Sequence, residues 1–144
     1  MYFITEIVPE SLLAATQIEP DGSMPAELAR TKSLSYSLFN LNAFFTLARL
    51  GEIVDVDLWN YRTADGRSVR GALDWMTPFA TGQKPWTHKQ ITKQTYAVMV
   101  TLFRQAAIAY REPAYEKLIS IVKGADDEKL MNELQQPDNV GFRK

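Results

Sequence analysis

Apolar residues recur at Leu34, Leu38, Leu41, Phe45 and Ala48, at steps of four, three, four and three, and this spacing predicts a helix from about Thr31 to Leu50 with Gly51 placed to end it. Val69, Ala72, Leu73 and Met76 repeat the pattern in a second helix that Pro78 should limit. Met99, Leu102, Phe103, Ala106 and Tyr110 predict a third, up to about Arg111, and Pro113 suits the first turn of a short successor carrying Tyr115, Leu118, Ile119 and Val122 before Gly124. Residues 2–17 read as weakly helical with a break at Pro9. Asp126 is placed to cap a last segment with Leu130, Met131 and Leu134, and fraying is expected from about residue 137. The intervals 19–25, 54–67 and 81–95 concentrate Pro, Gly and Asp and read as loops, the second ended by the turn dipeptide Asp65-Gly66. No stretch sustains the alternation of a strand. The predicted class is all-α, built of antiparallel helical hairpins, in one domain over residues 1–144.

The first of these helices carries a second pattern. Lys32, Tyr36 and Asn40 lie one above another at steps of four, while Leu34 and Leu38 point about 200° away from Tyr36. Phe39, Ala43, Phe44 and Leu47 widen the apolar coverage, so the helix is expected to be enclosed by protein on most sides. A tyrosine ionises near a pKa of about 10, and neighbouring cations favour the phenolate, so Tyr36 beside Lys32 or Arg30 is a candidate proton carrier. Spacing alone favours the plainer reading, in which Tyr36 is a core aromatic with one hydrogen-bond partner and Arg30 and Lys32 are surface charges at a helix start.

Composition narrows the chemistry. The 144 residues are 46% apolar and 23% charged, a balance that lets a single domain bury roughly two thirds of its unfolded surface. The formal charge is −1, with 16 basic and 17 acidic residues spread along the chain, so no global field draws it to nucleic acid or an anionic membrane. Glu6 and Glu10 interrupt the only apolar stretch near the amino terminus, where no basic leader stands. Cysteine is absent, and the single histidine, His88, cannot build a histidine-rich metal site alone, so no metal and no cofactor are expected.

The segments Gln17-Ile18-Glu19-Pro20-Asp21-Gly22, Glu27 through Leu41, Asp57-Leu58-Trp59, Ala72-Leu73-Asp74 and Lys84-Pro85-Trp86 resemble the alginate lyase family of polysaccharide lyases, in unbroken order over roughly residues 17 to 123. The resemblance implies helical hairpins forming part of an incomplete (α/α) toroid, and cleavage of an acidic uronic-acid polysaccharide by β-elimination. It places Tyr36 where the family has its catalytic tyrosine and makes Arg30 and Lys32 the groups nearest substrate charge, with Asn40 and Trp59 as further substrate-binding candidates. A periplasmic or secreted location follows from the resemblance alone.

One departure stands beside it. The family also carries an Asn-His pair on an earlier helix, and no Asn-His dipeptide occurs in this sequence. His88 lies downstream of the tyrosine and reads as a surface or packing residue. The chain therefore reads as the carboxyl-terminal part of such a domain, either still a lyase or a non-catalytic helical module that binds acidic oligosaccharide. Helices lacking their hairpin neighbours are expected to self-associate or to pair with a missing amino-terminal half. Trp59, Tyr61 and Trp86 are placed in loops, where they either stack on sugars or plug gaps. Asp55, Asp57 and Asp65 lack the ligand spacing of a calcium loop and read as turn caps, and Glu52 with Asp55 or Asp57 is a weak hydrolase pair.

Overall fold

The computed structural model describes residues 15–124; the expected helix before Pro9, the segment around Asp126 to Leu134 and the tail from 137 lie outside them. Among the described residues the fold is all-α. Helix α1 spans Pro25–Leu28, α2 Ser33–Ile53, α3 Val69–Ala80, α4 Val98–Ala109 and α5 Ala114–Leu118, which runs into a 3₁₀ turn at Ile119–Ile121. The long α2 packs on α1, α3 and α4, and α4 packs in turn on α5. Leu34, Leu38, Leu41, Phe45 and Ala48 are all buried, and they meet Leu73 and Met76 of α3 and Met99, Leu102 and Phe103 of α4 in one core. Each such large apolar side chain contributes about 1.5–3 kcal/mol on burial, which explains why the helical stripes survive as predicted.

Helix ends depart from the expectations at two places. Gly51 does not end α2, which continues to Ile53. The stop is Asp55, in a left-handed conformation at φ 58°, with the Val56 N–H reaching back to the Gly51 carbonyl at 2.8 Å. Gly51 is needed for that return, since a Cβ there would sit 2.6 Å from the Val56 oxygen. Pro78 likewise lies inside α3, where its missing N–H removes one bond near the end, and its own carbonyl accepts from Gln83 and Lys84. Arg111, at φ 50°, ends α4 as Asp55 ends α2, with Glu112 N–H bonded to the Ala107 carbonyl at 3.1 Å.

Two contacts fix the loops to this frame. Gly22, at φ 93°, brings the 19–25 turn against Gly71 in the first turn of α3, where a Cβ would fall 2.1 Å from the Gly71 oxygen. At the far side, Tyr115 of α5 donates to Asp74 Oδ1 at 2.6 Å and accepts from Arg70 Nε at 3.1 Å, tying α5 to α3. Burial pushes the Tyr115 phenol up to about 12, and burial also raises Tyr110 beside it. The Tyr110 hydroxyl is buried without a hydrogen-bond partner among the described residues. Asp57 and Asp65 cap turns as expected, Asp57 accepting from the Asn60 N–H at 3.1 Å and Asp65 from the Thr63 hydroxyl and the Arg67 guanidinium.

The expected enclosure of α2 is incomplete. Phe44 and Phe45 are buried, but Phe39 is 73% exposed, and Leu50 and Ile53 also reach solvent.

Candidate active site at the start of helix α2

Lys32 precedes α2 and supplies no side-chain cap, leaving the first N–H groups of the helix to find acceptors elsewhere. They find them in the loop that follows α3. The Gln90 carboxamide oxygen accepts from Leu34 N–H at 3.0 Å and Ser35 N–H at 3.3 Å, and the Lys89 carbonyl accepts both the Ser33 N–H at 3.0 Å and the Ser33 hydroxyl at 2.6 Å. Ser33, fully buried, accepts in turn from the Trp86 indole N–H at 3.0 Å. Lys32 and Gln90 form an isolated antiparallel bridge, and Ile91 N–H bonds to the Thr31 carbonyl at 3.1 Å. The Ser35 hydroxyl completes the seam, donating to Gln94 Oε1 and accepting from Gln90 Nε2, both at 2.9 Å.

This seam walls one side of an open cleft of about 480 Å³ lined by Lys32, Ser35, Tyr36, Phe39, Thr92 and Gln94. Lys32 is the one charged group of the lining, and none of it is acidic. Tyr36 is half-buried, and the Arg30 guanidinium lies over its ring, 3.5 Å from the centroid. Arg30 also stands 3.9 Å from the half-buried Glu27, a long and partly exposed pair of little energetic weight. The site thus combines a phenol, two cations and hydroxyl and carboxamide groups in an opening of sugar size, a set suited to an anionic, hydroxyl-rich ligand.

Of the residues expected at the site, Arg30, Lys32 and Tyr36 come together here. Asn40 lies one turn further along and is engaged elsewhere, its carboxamide donating to Gln17 Oε1 at 2.9 Å and to the Met24 sulfur at 3.5 Å. Trp59 is 6% exposed and lies edge-on to Phe45 and Tyr110, with its indole N–H on Glu52 at 2.6 Å. It borders a different hollow of about 330 Å³, with Arg49, Glu52 and Gln105. His88 is exposed beside the rings of Trp86 and Trp75, and Trp86 itself packs on Trp75 and Phe79. Sequence reasoning missed Gln90, Gln94 and Thr92. Their signal was indirect, a long helix without a good cap of its own and therefore in need of a distant acceptor.

A half-buried tyrosine under a guanidinium thus stands at the mouth of a cleft without acidic lining on an all-α frame. The family model described as alginate lyase matches residues 6–86, more than half of the chain, and the chain belongs to the alginate lyase family. Among solved structures it is similar to an alginate lyase from Bacteroides ovatus, at 30% identity and a TM-score of 0.67, over 75% of this chain and 29% of that one. The chain therefore spans less than a third of the length of that enzyme. Curated proteins give no match. Among the described residues no helix is long and apolar enough to cross a membrane.

Proposed function

We propose that this chain carries the catalytic tyrosine and part of the substrate cleft of a lyase that cuts a uronic-acid polysaccharide such as alginate by β-elimination. The observation that carries the reading is the Arg30–Tyr36 pair, a cation 3.5 Å from a phenol ring that borders a sugar-sized cleft. In the reaction the proton on C5 of the uronate passes to a base, the C5–H electrons form the C4–C5 double bond, and the C4–O4 bond breaks. The electron pair left on O4 takes a proton from the Tyr36 hydroxyl. Loss of the C5 proton beside a carboxylate builds a dianion, so fixed positive charge lowers the barrier, and Arg30 and Lys32 supply it. With no Asn-His dipeptide in the sequence, the base is either Tyr36 itself, whose deprotonated oxygen takes the C5 proton and then passes that same proton to O4, or a group outside these residues, with Tyr36 as acid only. On this reading the chain is one partial domain, its helices belong to an incomplete (α/α) toroid, and its substrate lies outside the cytosol.

The test is the absorbance near 235 nm of the unsaturated product, followed with polymannuronate and polyguluronate for the wild-type chain and for Tyr36→Phe. Product from the wild type that the substitution abolishes supports the lyase. A wild-type chain that binds the polymer and forms no product is the binding module instead, a second reading favoured by the missing Asn-His pair.

A further inference from the structure

Phe39 stands one turn beyond Tyr36 on the same face of α2 and borders the same cleft, yet it is 73% exposed. A phenylalanine left in water forgoes the stabilisation of burial, so an occupant that covers the ring gains it on binding. Two kinds of occupant compete. A protein partner would need a continuous apolar strip, and the same edge of α2 does reach Leu50 and Ile53, both exposed. Between Phe39 and Leu50, however, Asn42 and Thr46 are exposed and polar, and eleven residues of helix separate the two by about 16 Å. Ala43 and Leu47 on that edge are half-buried, so no strongly exposed apolar side chain joins Phe39 to Leu50, and Phe39 is bordered instead by the cleft residues Lys32, Ser35, Thr92 and Gln94. Apolar ring, hydroxyls, carboxamide and a single cation are the complement of a uronate pyranose, which has a C–H face, hydroxyl edges and one carboxylate.

We propose that Phe39 is the stacking platform of a uronate subsite adjoining Tyr36, with Thr92 and Gln94 along the hydroxyl edge and Lys32 at the carboxylate. The proposal rests on the lyase reading for the identity of the sugar, but not on turnover. Gln94 is held for the task, since its Oε1 accepts from Ser35 and its Nε2 donates to the Thr95 carbonyl at 2.9 Å. Lys32 has no carboxylate partner among the described residues, so its charge is free for a ligand.

The experiment is calorimetric titration of saturated mannuronate and guluronate tetrasaccharides into the full chain, compared with Phe39→Ala, Phe39→Trp and Leu50→Ala, with circular dichroism as a check on folding. Phe39→Ala is expected to weaken binding at least tenfold, while Phe39→Trp and Leu50→Ala leave it within twofold. Three outcomes overturn the subsite: neither tetrasaccharide binds the wild type, Phe39→Ala binds as the wild type does, or Leu50→Ala weakens binding equally. Turnover is read separately at 235 nm. Binding that depends on Phe39 without unsaturated product removes the lyase reading and keeps the subsite. Product formation with an affinity indifferent to Phe39 removes the subsite and keeps the lyase.

Discussion

Gln90 caps helix α2 from 56 residues away, its side-chain oxygen 3.0 Å from the Leu34 N–H. The same carboxamide accepts from Ser35 and donates to Ser35 Oγ and to the Thr92 carbonyl, so one residue both closes the helix start and holds the cleft wall. Replacing it with alanine is expected to cost about 1 kcal/mol in urea unfolding, the ordinary loss of a helix cap. It should also raise KM for the polymer, because Thr92 loses its bonds to the carboxamide and Ser35, which holds Gln94, loses a donor. Gln90→Glu keeps an acceptor at a helix N-terminus, where negative charge is favoured, and is expected to fall between the two. An alanine variant as stable as the wild type would show that the cap does not hold in solution.

The meeting of Gly22 and Gly71 offers a sharper contrast. At Gly22 an added Cβ would meet the Gly71 oxygen at 2.1 Å, and the backbone is already left-handed, so Gly22→Ala is expected to destabilise by about 3 kcal/mol. At Gly71 the nearest atom is the Ser68 hydroxyl at 3.1 Å, and alanine gains helix propensity, so Gly71→Ala should stay within about 1 kcal/mol of the wild type. Denaturant midpoints decide the order, and equal effects would refute the close approach.

The aliphatic core was legible in the sequence because it obeys the 3.6-residue period, and so was the neighbourhood of Lys32 and Tyr36, four residues apart; Arg30, six residues before Tyr36, follows no such period and was legible as a substrate group only through the family resemblance. Helix ends were less so. The stop expected at Gly51 fails because Asp55 takes the left-handed position instead, and Gly51 serves the close return of Val56. Pro78 ends nothing, since the loss of one N–H near a C-terminus is tolerated where Thr77 and Thr81 hydroxyls bond back to Leu73 and Thr77. The cleft wall was illegible for a different reason. Gln90 and Gln94 become important only through hydrogen bonds to residues 55 to 59 positions earlier, and no local pattern encodes such a distance. Phe39 was counted toward the buried coverage of α2 because periodicity identifies an apolar position without saying which neighbour is present to cover it.

Alkaline stability is expected to report the α3–α5 tie. The Tyr115 phenol is raised to about 12 chiefly by burial, with its bond to Asp74 next, against about 10 in the unfolded chain. A folded value above the unfolded one means that the folded state holds its proton longer, so the stabilisation is full below pH 10 and is lost as the pH rises towards 12. Tyr110 is raised in the same direction by burial and adds to the slope. Urea midpoints should fall steeply over that window, and less steeply in Tyr115→Phe, whose stability at pH 7 is already lower. Phenolate absorbance near 295 nm gives an independent reading: Tyr110 and Tyr115 should ionise only together with unfolding, and burial holds Tyr96 back in the same direction. Ionisation of all six tyrosines before unfolding would contradict the burial.

Trp59 separates packing from sugar binding. Its N–H bond to Glu52 and its edge-on contacts with Phe45 and Tyr110 join α2, the 54–67 loop and the end of α4, and it borders a hollow distinct from the Tyr36 cleft. Trp59→Phe keeps an aromatic ring in the core but removes the hydrogen bond and part of the buried area, at an expected cost of about 2 kcal/mol. If the residue serves packing alone, KM and kcat at 25 °C should stay within twofold, because nothing in the Arg30–Tyr36 cleft rests on it. A tenfold rise in KM with unchanged stability would instead assign Trp59 to the substrate path and extend that path across α2 into the hollow beside Arg49 and Gln105.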